Sequence, residues 1–259
     1  MANKFWNFVN NEGKGELWLY GEISDETWWG DEVTPQTFTD DLNALGDIDN
    51  LDVFIFSPGG DVFAGFAIYN ILNRFKGKIT AHIDGLCASI ATVIAMAADT
   101  IIIPENASFM IHNAWTWAAG NKNDLREMAD QLERIDAQIT DIYAARTGKS
   151  VEDIKALMDA ETWMSGTEAV ENGFADELIE NKKIAAKVNI SLLDKYKSVP
   201  DLSDLFADVQ EEISEPVADI DSEVTIEEEE VEPQTSAALA EQAHMFSEIK
   251  KKIYEVISK

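Results

Sequence analysis

Cysteine is nearly absent from this chain. Cys87 is the single one in 259 residues, which excludes an internal disulfide framework and suits a reducing compartment. Long apolar runs are missing too. The longest, Leu86 to Ala98, spans 13 residues and is interrupted by Ser89 and Thr92, too short for a membrane span. Basic residues are outnumbered, 20 against 49 acidic ones, for a net charge of −29. Such a surface repels phosphate backbones, so direct nucleic-acid binding is not expected. Residues Met1 to Phe8 contain no basic region followed by an apolar core, so no signal peptide is expected. The reading is of a soluble, cytoplasmic protein without a membrane partner. No P-loop pattern occurs, so any ATPase must be a separate chain.

What the chain does have is a hydrophobic fraction of 46%, enough to bury a sizeable core. The charge is unevenly placed. Residues 208–233 hold twelve acidic residues and no Lys or Arg, contributing −12 of the −29. Three regions follow from these shifts. Residues 1–183 form the folded domain; 184–235 form an acidic, largely disordered linker; 236–259 form an amphipathic helix. In the last, Leu239, Ala243, Phe246, Ile249, Ile253 and Val256 recur at three- and four-residue steps, giving one apolar stripe. A lone helix of that length needs a partner.

Within the domain, Leu17–Ile23, Leu51–Phe56, Ile79–Ile83, Thr100–Ile103 and Phe109–His112 read as strands. The third is expected to break at Asp84-Gly85. Phe63–Phe75 and Ser89–Ala98 read as helices, followed by a long amphipathic helix over Asn123–Thr147. Shorter helices are expected over Val151–Met158 and Thr167–Asn172, capped by Ser150 and Ser165. Alternating strands and helices predict an α/β fold with parallel pairing and crossover helices.

Of the three histidines, His82 lies inside a strand pattern and His244 in the tail. Only His112 falls at an element end in an apolar context. Ser89 follows Gly85 at a strand-to-helix junction, where the turn lifts a hydroxyl out of the sheet and free helix N–H groups favour nearby negative charge. Gly59-Gly60 lacks Cβ atoms, so its backbone can approach a carbonyl and offer an N–H to a developing oxyanion. Each feature also has an ordinary reading: a small residue in a packed helix, a hydrogen-bonded structural histidine, a plain turn. Periodicity and composition do not separate the two.

Four segments together carry a resemblance: Ser57-Pro58-Gly59-Gly60, Gly85-Leu86-Cys87-Ala88-Ser89-Ile90-Ala91, Phe109-Met110-Ile111-His112-Asn113, and Thr162 to Asp176. In this order and near this spacing they resemble the proteolytic subunit of the Clp protease family over about residues 15–180. The resemblance implies a ClpP/crotonase-like fold of repeated ββα units, ahead of the acidic tail and its terminal helix. It also implies a Ser–His acyl-transfer peptidase that needs no cofactor or metal. Ser89 would be the nucleophile and His112 the general base, with the amides of Gly60 and Ile90 as oxyanion hole. Where the family usually has Asp as third member, this chain has Glu161, with Asp159 as the rival.

A Clp-like domain with an acidic, partly helical tail resembles the head-maturation (prohead) proteases of tailed bacteriophages. That implies a ring-forming homo-oligomer processing capsid or scaffold protein inside the assembling shell, beside portal or other head proteins, in the host cytoplasm and without ATP. The alternatives are a proteolytic subunit working with a separate AAA+ unfoldase, a non-catalytic capsid assembly factor, and an acyl-CoA enzyme of the same broad fold.

Overall fold

A continuous apolar run can be buried on both faces only in the interior of a sheet, and Val53-Phe54-Ile55-Phe56 sits there. The computed structural model of the chain describes residues 4–11, 13–24, 34–181, 190–193, 195–200 and 202. In chain order its elements are β1 (Trp6–Asn11), β2 (Lys14–Tyr20), α1 (Pro35–Asn43), β3 (Asn50–Ser57), α2 (Val62–Leu72), β4 (Lys78–Ala88), α3 (Ile90–Ala95), β5 (Thr100–Pro104), β6 (Ser108–Ile111), α4 (Lys122–Thr147), α5 (Val151–Asp159), β7 (Thr162–Ser165), α6 (Gly166–Glu171) and β8 (Glu177–Ile179). A short 3₁₀ turn, Ile190–Leu193, follows.

The sheet is mixed, with strand order β1-β2-β3-β4-β5-β8. Pairing from β2 through β8 along this path is parallel, as the alternation of strands and helices predicts. The exceptions are β1, antiparallel to β2, and β7, antiparallel to β6. Short-range signals fix the helices. Thr34 closes a capping box ahead of Pro35, and Ser150 and Ser165 cap α5 and α6 as expected. Helix α3 is buried at all six positions, and its residues join the main core with Ile55, Ile83, Phe109, Tyr143 and Phe174.

Strand β4 departs from expectation. It does not end at Asp84-Gly85 but runs eleven residues, to Ala88. Gly85, at φ 93°, bends the strand, which only glycine does cheaply. Before the bend, Thr80–His82 pair with β5; after it, Leu86–Ala88 pair with β6. This change of partner brings the ends of β4 and β6 side by side. Strands β1, β7 and β8 and helix α1 were not anticipated from the sequence.

The chain divides into two units, Met1–Ile213 and Ser214–Lys259. The second lies wholly outside the described residues, as do most of the expected acidic linker and the whole expected terminal helix. Among the described residues, no helix is long and apolar enough to cross a membrane.

Candidate active site

Strand register assembles the site. Ala88 of β4 stands opposite Met110 of β6, and the Ser89 N–H donates to the Met110 carbonyl at 2.8 Å. Ser89 therefore emerges one residue past the end of β4, and His112 immediately past the end of β6. On the other side of β6, Ile111 stands opposite Thr162 of β7. The antiparallel register then sets Glu161 next to His112. Three strand ends converge, at the carboxyl edge where α/β sheets hold their ligands.

The closest contact is between side chains. Ser89 Oγ and His112 Nε2 lie 2.8 Å apart, a short hydrogen bond. For Nε2 to accept the hydroxyl proton, the other ring nitrogen must carry the imidazole proton. Ser89 adopts φ 57° and ψ −131°, a region that non-glycine residues occupy only under constraint and that clusters at functional sites. Among the described residues, just one other non-glycine has positive φ, and it is Glu161 at 51°.

The constraint on Ser89 has visible supports. Its carbonyl accepts the Thr92 hydroxyl at 2.6 Å and the Thr92 N–H at 2.9 Å. Thr92 Oγ1 in turn lies 2.6 Å from the hydroxyl of Tyr143, on α4. Because Thr92 has spent its one proton on Ser89, Tyr143 must be the donor in that pair. Both are buried, so helix α4 braces the turn that presents Ser89. On the opposite side, a Cβ on Gly59 would lie 2.6 Å from Ser89 Cβ and 2.7 Å from the Ala88 carbonyl oxygen. Only glycine lets the Ser57–Gly60 turn close over Ser89.

That turn is held by one further segment. Ile23 bridges it, donating to the Gly59 carbonyl at 2.9 Å and accepting from the Asp61 N–H at 2.7 Å. The Gly60 N–H takes no part in this pairing. Ile90 opens α3, so its N–H has no carbonyl within the helix. Oxyanion holes are built from main-chain donors of this kind.

His112 is electrically unusual. Burial drives its imidazole down to about 4; the Glu161 carboxylate opposes this, and the Lys195 and Lys197 ammonium groups reinforce it. Glu161 Oε1, however, accepts the N–H groups of Lys197 and Ser198 at 2.6 and 2.8 Å. No hydrogen bond joins it to His112 among the described residues. Asp159, the rival, accepts from Asn113 Nδ2 at 2.7 Å and has no hydrogen bond to the imidazole either. The structure thus unites Ser89 with His112, sets the Glu161 charge beside them, and ties Asp159 to Asn113. His82 is elsewhere, stacked on Phe54 at 4.9 Å between ring centroids and 3.5 Å from Asp52.

Sequence reasoning missed Tyr143 and Thr92, whose partnership spans 51 residues, and it missed Tyr196 entirely. Tyr196 places its ring edge-on to His112, with centroids 5.1 Å apart, and donates its hydroxyl to the Pro58 carbonyl. It lies in a stretch without periodicity, past residue 183 where the sequence sets the domain's end, and no sequence signal marks it.

Comparison with known proteins agrees with this architecture. The sequence model described as Clp protease matches residues 15–182. The ATP-dependent Clp protease proteolytic subunit of Streptococcus sanguinis (strain SK36) is 32% identical over 149 residues, covering 56% of this chain and 76% of that protein. The same subunit from Streptococcus pneumoniae (strain Hungary19A-6) is 30% identical over 148 residues, 55% and 75% of the two chains. A solved structure of a mutant ClpP1 from Listeria monocytogenes is 29% identical, with a TM-score of 0.55, covering 64% of this chain and 92% of that one. With the matched family segment spanning well over half of its length, the chain belongs to the Clp protease family.

Proposed function

We propose that this chain is a serine endopeptidase acting through Ser89, His112 and Glu161. The observation that carries the reading is the 2.8 Å contact between Ser89 Oγ and His112 Nε2, made by a serine in a constrained backbone beside two available amides. Ser89 Oγ attacks the scissile carbonyl carbon as His112 Nε2 removes its proton. The Gly60 and Ile90 N–H groups take the charge that develops on the carbonyl oxygen. His112 then protonates the leaving amine, and water repeats the sequence on the acyl-enzyme. Glu161 offsets the positive charge on the imidazole in both halves.

The finer reading is a phage-type prohead protease that acts without ATP, assembles into rings, and cleaves capsid or scaffold protein during head maturation. Its support is the acidic stretch at 208–233 and the apolar stripe at 236–259. A second reading, a proteolytic subunit serving a separate AAA+ unfoldase, is favoured by the printed names of the streptococcal relatives, which are ATP-dependent enzymes. Purification from the native source separates them: a co-purifying ATPase supports the second, and procapsid proteins support the first.

The core claim is tested by labelling with a fluorophosphonate, which reacts with activated serines. The parent protein is expected to label at Ser89, with S89A giving no adduct and H112A at least about 10²-fold slower labelling. An adduct that persists in S89A would overturn the assignment of the nucleophile.

A further inference from the structure

Ser89 and His112 are met by this chain's own segment: the Tyr196 ring lies against His112, and its hydroxyl reaches Pro58 and the Ser89 side chain. Leu193, Tyr196 and Leu202 are buried against Phe56, Leu86, Ala88 and Met110. Three of these neighbour the site along the chain: Phe56 precedes the Ser57–Gly60 turn, Ala88 precedes Ser89, and Met110 lies two before His112. Residues 195–200 belong to no helix or strand. The segment is fastened at points. Lys195 Nζ pairs with Glu22 at 3.3 Å and lies 5.4 Å from the centroid of the Tyr196 ring. The Tyr196 hydroxyl donates to the Pro58 carbonyl. The N–H groups of Lys197 and Ser198 both donate to Glu161 Oε1.

Within four consecutive residues the chain therefore grips three sides of the cleft: Glu22 beside the Ile23–Gly60 bridge, Pro58 in the oxyanion turn, and Glu161 beside the imidazole. We propose that residues 195–198 form an autoinhibitory strap that competes with peptide substrate for the Ser89–His112 site and must swing aside before catalysis. The inference rests on the peptidase reading above.

Three consequences of the closed strap each oppose turnover. A substrate carbonyl must come within about 3 Å of the nucleophile and the oxyanion donors, and the Tyr196 ring against His112 takes part of that volume. Lys195 and Lys197 bring two ammonium groups towards an imidazole that must become positive in the transition state. Glu161, the carboxylate that would offset that charge, is drawn onto two strap amides. The exposed fastenings are of the kind that open locally at little cost. A strap that competes with substrate reduces apparent affinity by the fraction of molecules that are open, leaving the bound step untouched.

The test uses the full chain with Tyr196→Ala and Tyr196→Phe, and two readouts. The first is hydrolysis of a fluorogenic peptide together with fluorophosphonate labelling. The second is the titration of His112 by NMR of labelled histidines, which requires no activity. Y196A is expected to raise kcat/KM by about tenfold through KM with kcat unchanged, to speed labelling equally, and to move the His112 titration up from about 4. Y196F keeps the ring and loses the hydroxyl, with its bonds to the Pro58 carbonyl and the Ser89 side chain, so it should give a smaller change of the same sign, about threefold; it also serves if Y196A folds poorly. An upward titration with no labelling in any protein would keep the strap and sink the peptidase. An unchanged titration, or a titration that rises while the kcat/KM of a parent protein that does label stays level or falls, would overturn the strap.

Discussion

At the scale of residues, the site is a set of conflicts, each resolved by a neighbour. A general base serves best near its operating pH, yet burial pushes His112 down to about 4. The Glu161 carboxylate is the one nearby charge that restores basicity. Replacing it with glutamine removes the charge and keeps an acceptor for the Lys197 and Ser198 amides. E161Q is therefore expected to lower the His112 titration further and to cut kcat by about tenfold or more, since a pKa unit corresponds to about 1.36 kcal/mol. D159N, whose carboxylate serves Asn113, should stay within about twofold of the parent. Steady-state rates and histidine titrations of both variants check this; a larger loss in D159N would reassign the role. The direction also separates charge from access, because freeing the strap raises the imidazole pKa whereas E161Q lowers it.

At the scale of elements, position matters more than composition. Helix α4 lies far from Ser89 in sequence, but Tyr143 donates to Thr92, and Thr92 holds the Ser89 carbonyl. Y143F leaves the Thr92 hydroxyl short of a buried donor. That should cost about 0.5–1.5 kcal/mol of stability and lower kcat a few-fold with KM unchanged. Thermal melts and steady-state kinetics decide it; an effect on KM alone would count against the brace. Elements of this kind were unevenly legible from sequence. Long periodic α4, the capped α5 and α6, and the apolar β3 announced themselves, because each carries its signal locally. Strand β7 is four residues long and β8 three, too short for alternation to register. Strand β4 was read as ending at Gly85, because a glycine that bends a strand and one that ends it look alike in sequence. The bend decides which strand β4 pairs with, and so brings Ser89 to His112. The motifs named those two residues; only the register explains their meeting. The Tyr196 segment was illegible because its fastenings are main-chain amides, one tyrosine and one lysine, without period or motif.

At the scale of the whole molecule, the buried ionisable groups set the pH range of stability. On the acid side, His112 stays neutral when folded down to about 4, whereas the unfolded chain takes up that proton near its ordinary value of about 6.5. The unfolded state binds more protons between those values, so stability falls as pH drops through that window. Below it, the carboxylates of Asp41 and Glu168 add to the loss. Burial raises Asp41, but hydrogen bonds from Lys4 and Trp6 outweigh it, and Ser165 holds Glu168 down through its N–H and hydroxyl. Asp136 works the other way: burial raises its pKa, so its protonation in the folded state softens the fall. On the alkaline side, burial raises Cys87, Tyr20, Tyr143 and Tyr196, with the Asp84 carboxylate adding to the effect at Tyr20. Their folded pKa values lie above the unfolded ones, so their contribution is complete below about pH 9 and is lost above it. Thermal melting against pH is therefore expected to show a plateau from about 7 to 9 with declines on both sides. H112N should flatten the stretch between about 6.5 and 4 and leave the alkaline side unchanged. A parent-like acid slope in H112N would mean that the imidazole is not held neutral by the fold, and the buried dyad derived from these distances would have to be redrawn as an exposed one.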